Sequence, residues 1–195
     1  MNFTKKLFNL YTIIFASVML FSCATLPTGK NVSRTLTDPG IKTAKQLENF
    51  FISQNPSCSK KEVRELSKLY IKEANAEGIN SDCAFVQMCL ETGFLKFGNL
   101  VTKEMHNYCG LGAIDAEHPG ESFDTAQLGV RAHIQHLHAY ATDETFVLNN
   151  KCIDNRYKWV KRGRAKDIYG LSGTWAMDSE YSKKLDALLT KLEKF

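Results

Sequence analysis

The sequence predicts an α+β domain that is predominantly helical, with a small β-hairpin lobe set among its helices. Three observations carry this. Apolar residues recur at intervals of three and four in segments that open on capping residues. One run, Ala84 to Leu90, is almost wholly apolar and reads as a buried central helix. The stretch from Phe94 to Asp124 is rich in glycine and short polar pieces with no helical period, where loops and a hairpin are expected.

At the N-terminus, Lys5 and Lys6 precede a stretch from Leu7 to Phe21 that is apolar apart from Asn9, Thr12 and Ser17. Residues 1–22 are therefore expected to be an export signal, too short for a bilayer-spanning helix. The signal ends at Leu20-Phe21-Ser22-Cys23, which resembles a bacterial lipobox, with Phe21 where a small residue is usual. On this reading Cys23 becomes the lipidated first residue of an exported, membrane-anchored lipoprotein facing the periplasm or cell wall, because several acyl chains anchor where one binds only marginally. The competing reading is an ordinary cleaved signal with Cys23 incidental. Residues 23–43 are polar, with Pro27, Gly29, Pro39 and Gly40 and no apolar period, and are expected to be a tether. Residues 44–195 suit one domain with a full hydrophobic core. The formal charge of +4 falls by two with loss of Lys5 and Lys6, so the mature chain is nearly neutral.

The helices follow in order. The first is expected over Ala44 to Ser53, ended by Asn55-Pro56. Ser59-Lys60-Lys61-Glu62 is a capping box, after which Val63, Leu66, Tyr70 and Ala74 form one stripe until Gly78 stops the helix. Ser81 is the expected cap of the apolar helix that ends at Glu91. Thr125 caps a helix with the stripe Ala126, Val130, Ile134, Leu137 and Ala141, and the last helix shows Tyr181, Leu185, Leu188 and Leu192. Five cysteines follow Cys23. Cys83 and Cys89 lie about 9 Å apart along a helix axis, too far to bond. Cys89 and Cys109 read as buried small hydrophobes, and a Cys58–Cys152 bridge is left open.

Glu91 is the chemically informative residue. An acid at the C-terminal end of a helix is disfavoured by the macrodipole, and among apolar residues it resists ionisation. A carboxyl that keeps its proton near neutrality can protonate a glycosidic oxygen.

The helix ending Leu90-Glu91-Thr92-Gly93, the segment Asn107-Tyr108-Cys109-Gly110-Leu111-Gly112-Ala113, the run Gly129 to Leu137, and the tail Gly173-Thr174-Trp175 through Tyr181 with Lys184-Leu185 resemble, in this order, the glucosaminidase domains of glycoside hydrolase family 73. The resemblance spans about Lys45 to Lys194. It implies a lysozyme-like fold and an endo-β-N-acetylglucosaminidase that cuts the β-1,4 bond after N-acetylglucosamine in peptidoglycan, as cell-wall autolysins do. It places Glu91 at the catalytic acid. A second carboxylate is expected from the irregular segment, where Asp115, Glu117, Glu121 and Asp124 are available and Glu121, after the Pro119-Gly120 turn, is chosen. A substrate acetamido group can stand in for that second acid. Asn107, Tyr108, Gly110 and Gly112 match the segment beside the active site, with Cys109 and Ala113 departing from its pattern, and a plain turn would use the same residues. Trp175 stands where many relatives have a tyrosine; its indole stacks on sugars but lacks the phenolic hydroxyl, a duty that Tyr108 or Tyr181 could take. Tyr181 also reads as core.

His133, His136 and His138 read as partly exposed side chains rather than zinc ligands, since no H-E-x-x-H occurs, and Arg131 reads as solvated. Seven basic residues between Lys151 and Lys166 face one acid, Asp154; the patch reads as a solvated face or an attractor of anionic polymers, and nothing resembles a nucleic-acid reader. The expected partners are peptidoglycan glycan strands and, through lipidated Cys23, a membrane; a monomer with no cofactor and no metal is expected. Two further readings remain: a wall-binding lipoprotein without turnover, and a lytic transglycosylase on the same fold, for which a single acid suffices.

Overall fold

The computed structural model describes residues 31–195, and among them five α-helices form where the apolar periodicity places them: α1 Ala44–Gln54, α2 Lys60–Glu77, α3 Ser81–Glu91, α4 Ala126–Ala141 and α5 Tyr181–Leu192. The expected export signal and Cys23 lie outside the described residues. Short 3₁₀ turns at Lys103–Met105, Tyr157–Trp159 and Ile168–Leu171 were not legible from periodicity.

Local chemistry fixes the helix ends. Thr43 and Gln46 close a reciprocal capping box on α1. Ser59 caps α2 by accepting from Glu62 N at 3.4 Å, but the Glu62 carboxylate reaches Lys103 at 2.8 Å instead of closing the box. Gly78 ends α2 at φ +67°, a conformation that glycine takes without strain. Ser81 is not the cap of α3. Asn80 is: its Oδ1 accepts from Asp82 N at 3.0 Å and Cys83 N at 3.3 Å, because Ser81 already has helical backbone.

The segment 31–43, expected as tether, is part of the fold. Val32 and Leu36 are buried in the core, and Arg34 pairs with Asp186 at 2.7 Å and with Glu193. The strap lacks a helical period because it passes the start of α3 as non-helical chain with a turn at residues 36–38, where side chains satisfy its backbone. Asn80 Nδ2 donates to Thr35 O at 3.0 Å and Ser33 O at 3.3 Å, and Asp82 accepts from Ile41 N at 2.8 Å. Asn80 thus serves helix and strap at once while fully buried. Asn80→Ala is expected to cost about 2 kcal/mol, read as a lower denaturant midpoint at unchanged slope.

Helix α3 is the central element and touches all four other helices. Phe85, Val86, Met88 and Cys89 are fully buried on it, each large side chain contributing about 1.5–3 kcal/mol through removal from water. Arg131, expected in solvent, forms a two-pronged pair with the buried Glu73 at 2.8 and 3.3 Å, tying α4 to α2. The described cysteines are all unbridged.

No strand forms among the described residues; there are only isolated bridges, Thr35 with Asp167 and Ser172 with Ala176. The hairpin expected between Phe94 and Asp124 is replaced by a folded-back loop. Glu121 N reaches Leu111 O at 2.8 Å and Ile114 N reaches His118 O at 2.9 Å, but Gly110, Gly112 and Gly120 have positive φ. Left-handed residues interrupt the two-residue alternation that a ladder requires.

Candidate active site

Immediately after Glu91 the chain reverses through a left-handed turn, with φ of 56° at Gly93, 58° at Phe94 and 59° at Leu95. Such backbone costs about 1–2 kcal/mol at each residue that carries a Cβ. Packing holds it: the Phe94 ring sits 5.9 Å from Phe50 and 5.4 Å from Phe51, and Thr92 Oγ1 accepts from Leu95 N at 2.9 Å. The reversal stops α3 with Glu91 at its tip and brings Phe97 round as a wall.

Glu91 opens into a cleft of about 520 Å³ whose walls include Phe97, Leu100 and Val101 on one side, Trp175 and Tyr181 on another, and Gly110 facing the acid. Helix α5 supplies Tyr181, whose hydroxyl donates to Glu91 Oε1. Trp175 Nε1 donates to the same oxygen at 3.1 Å. The indole is clamped among His133, His136 and Tyr140, with ring centroids 5.8, 5.1 and 5.2 Å away. His136 is held in turn by Asp154 at 2.7 Å. Glu91 Oε2 has no partner among the described residues, and a Cβ at Gly110 would lie 4.0 Å from it. Gly110, at φ +66°, keeps that oxygen uncovered.

Burial raises the Glu91 carboxyl above the ordinary carboxylate range, with the Tyr181 and Trp175 hydrogen bonds acting the other way. Burial and the neighbouring Glu91 also push the Tyr181 phenol well up, so Tyr181 remains a donor. The arrangement is a carboxyl biased by burial toward its protonated form, anchored by one oxygen and free at the other, in a cleft of mixed polar and apolar lining.

The sequence-derived site is brought together only in part. Glu91, Gly110, Trp175 and Tyr181 meet around the cleft. Asn107 borders it, but its amide is spent on the loop: Nδ2 donates to Leu111 O at 2.9 Å and Glu121 O at 3.0 Å, and Oδ1 accepts from Leu111 N at 2.9 Å. Asn107 therefore shapes the wall rather than offering polar atoms to a ligand. Tyr108 is buried and turned away from the cleft, beside Leu66 and Leu69 of α2. Glu121 does not border the cleft; its side chain lies against Gly112 and within 3.4 Å of Asn155 Nδ2. Among the described residues Glu91 is the one carboxylate in the lining.

Of the three histidines only His136 is partly exposed, as expected. His133 and His138 are buried. His133 contacts Tyr70 and Gln87, His136 contacts Asp154, and His138 contacts Tyr157 at 2.9 Å, so each ring has its own partners. Gln87 is a residue that sequence reasoning missed: its Nε2 donates to Tyr181 at 2.9 Å. Its signal was its place as the one polar side chain inside the run Ala84 to Leu90, one helical turn before Glu91.

A family model described as glucosaminidase, mannosyl-glycoprotein endo-beta-N-acetylglucosaminidase, matches residues 67–194. The chain is similar to an uncharacterized protein of Borreliella burgdorferi, 41% identical over 157 residues that cover 80% of this chain and 76% of the relative. In fold it is similar to autolysin E of S. aureus, solved with the muropeptide NAM-L-Ala-D-iGlu, at a TM-score of 0.54 and 13% identity over 85% of this chain and 73% of that one.

Proposed function

This chain belongs to the glucosaminidase family of glycoside hydrolases, and from that premise we propose that it cleaves the β-1,4 bond following N-acetylglucosamine in peptidoglycan, with Glu91 as general acid. The observation that carries the assignment of Glu91 is its two-faced environment: Oε1 accepts from Tyr181 and Trp175, while Oε2 faces Gly110 across the cleft. In this reading the proton sits on Oε2, moves to the glycosidic oxygen as the bond breaks, and leaves a carboxylate whose charge Tyr181 and Trp175 stabilise through Oε1. These two donors act most strongly when the negative charge appears, which is what lowers the barrier. The apolar parts of the lining, Phe97, Leu100, Val101 and Trp175, suit the faces of pyranose rings, and the polar parts, Asn99 among them, suit their hydroxyls. A peptidoglycan substrate is supported by the likeness in fold to an autolysin solved with a muropeptide.

The lone carboxylate in the lining bears on the second half of the reaction. Glu121 is held toward Asn155, so either the substrate acetamido oxygen is the nucleophile, with water later opening the cyclic intermediate and giving its proton to the Glu91 carboxylate, or an acid that approaches with substrate activates the water. The same observation favours a second reading, lytic transglycosylation, in which no water is added. Digests of purified peptidoglycan, reduced with borohydride and resolved by mass, separate the readings. The expected products end in reduced N-acetylglucosamine and carry one added water. Anhydro ends would transfer the chain to the second reading; reduced muramic ends would overturn the bond assignment.

The basic start, the apolar run and Cys23 support an exported lipoprotein tethered to a membrane, with residues 24–30 as what is left of the tether once the strap is counted with the domain. Metabolic labelling with a palmitate analogue, lost in Cys23→Ala, is the expected result.

A further inference from the structure

A chain of hydrogen bonds runs from the middle of the core to the acid, taking one residue from each of four helices. Tyr70 of α2 meets His133 Nδ1 of α4 at 2.8 Å. His133 Nε2 meets Gln87 Oε1 of α3 at 3.1 Å. Gln87 Nε2 meets the Tyr181 hydroxyl of α5 at 2.9 Å, and that hydroxyl meets Glu91 Oε1. Tyr70, His133 and Gln87 are all essentially unexposed.

Such a chain has two self-consistent polarities, and the inventory of donors decides between them. In the forward polarity every hydrogen points toward Glu91: Tyr70 to His133, His133 to Gln87, Gln87 to Tyr181, Tyr181 to Oε1. In the reverse polarity Glu91 donates from Oε1 to Tyr181, Tyr181 donates to a flipped Gln87 amide, that amide donates to His133 Nε2, and His133 Nδ1–H donates to Tyr70. The Tyr70 hydrogen then has no acceptor among the described residues, since His133 is its one hydrogen-bond partner. A stranded buried donor is costly, so the forward polarity holds.

The two polarities place the acid's proton on different oxygens. Forward, Oε1 is an acceptor and the proton sits on Oε2, toward Gly110 and the cleft. Reversed, the proton sits on Oε1, turned to the protein and out of reach of a substrate. We infer that Tyr70, a core residue remote from the cleft, is a positioning residue that acts through His133, Gln87 and Tyr181 to hold the proton of Glu91 on its cleft-facing oxygen. The inference rests on the reading of Glu91 as general acid.

Burial holds His133 neutral, its pKa down to about 3, so it keeps one tautomer rather than titrating across the working range. The titratable groups facing it are Tyr70 of α2 and His136 of its own helix. Those facing Glu91 are Tyr181 of α5, Cys109 of the loop and, at longer range, Tyr70.

Tyr70→Phe tests the inference in an otherwise intact core. Without the hydroxyl, both polarities leave His133 Nδ1 equally unpartnered and the bias disappears. The expected results are a kcat lowered by roughly two- to tenfold at unchanged KM, and an alkaline limb of the kcat/KM profile moved to higher pH, because the reversed chain, in which Glu91 donates from Oε1, becomes accessible to the protonated acid alone and stabilises it. Ring-nitrogen NMR of His133 is expected to pass from the Nε2–H tautomer alone to a mixture with Nδ1–H. Gln87→Met should move the limb the same way, and adding Tyr70→Phe to it should have little further effect, as befits members of one network. A limb moved to lower pH would mean that water had entered a loosened core, and would overturn the inference. A wild-type tautomer with a wild-type limb in Tyr70→Phe would overturn it equally. The tautomer measurement needs no turnover, so an inactive wild-type enzyme would sink the reading of Glu91 without deciding the polarity of the chain.

Discussion

Glu91→Gln is expected to abolish clearing of peptidoglycan, lowering kcat by a factor of about 10²–10⁴, while the folded domain stays at least as stable as the wild type. The substitution keeps the shape of the side chain, and the carbonyl oxygen of the amide can still accept from Tyr181 and Trp175 in place of Oε1. What it loses is the transferable proton at the cleft-facing position. The stability half of the expectation follows from the direction in which burial moves the carboxyl. Its folded-state pKa lies above its ordinary value, so the native state holds the proton more tightly than the unfolded chain. Stability from this group is then fully present below the ordinary carboxylate pKa and is lost as pH rises through the folded one. At neutral and alkaline pH the wild type carries that penalty and the glutamine variant does not. Thermal midpoints should therefore diverge as pH is raised, with Glu91→Gln the higher. The same raised pKa places the alkaline limb of wild-type kcat/KM above the usual carboxylate range. Wild-type clearing by Glu91→Gln would remove the acid assignment; a midpoint difference that shrinks with rising pH would show that the side chain is not buried as described.

The helices, and the place of Glu91 at a helix end bordering a cleft, were legible in the sequence because both are local signals. Val63, Leu66, Tyr70 and Ala74 mark one face of α2, and Glu91 stands out as a charge at the end of an apolar run. The cap of α3 was misplaced by one residue because Asn and Ser are both good caps, and the strap decides between them: Asn80 alone has the amide hydrogens that Ser33 and Thr35 require. Arg131, His133 and His138 were misread for a related reason. Their partners, Glu73, Gln87 and Tyr157, come from other segments, and no pattern along one segment reports a contact across the core. Glu121 was chosen for a turn at Pro119-Gly120, but the chain turns at residues 115–118 instead, and the loop is drawn in by Asn107 so that the carboxylate is carried past the cleft. Trp175 looked like the loss of a phenol. The phenol is present on Tyr181, and the indole adds a second donor to the same oxygen.

Gly129→Ala is expected to cost the domain stability and turnover together, because helix α4 is the floor on which the loop facing Glu91 rests. A Cβ at Gly129 would fall 1.7 Å from the His106 carbonyl oxygen and 2.9 Å from its carbon. These are backbone atoms, so no rotamer change relieves the overlap, and His106 itself has φ of 50°, already in the left-handed region. Either α4 or the loop has to move. Overpacking of this kind costs about 3 kcal/mol, offset by about 1 kcal/mol from the better helix propensity of alanine, which predicts a thermal midpoint lower by roughly 4–8 °C. The loop that gives way carries Asn107, Cys109 and Gly110 into the cleft. Displacing it by an ångström should lower kcat by about 10²-fold even where the variant is fully folded. Gly78→Ala supplies the contrast. Its Cβ would meet nothing within 4 Å, so only the left-handed backbone is penalised, by about 1 kcal/mol, at a helix end away from the cleft. It should lower the midpoint and leave kcat alone. If Gly129→Ala also lost stability with full turnover, the loop would not depend on α4 for its position, and the glycine in the middle of that helix would be a matter of packing only.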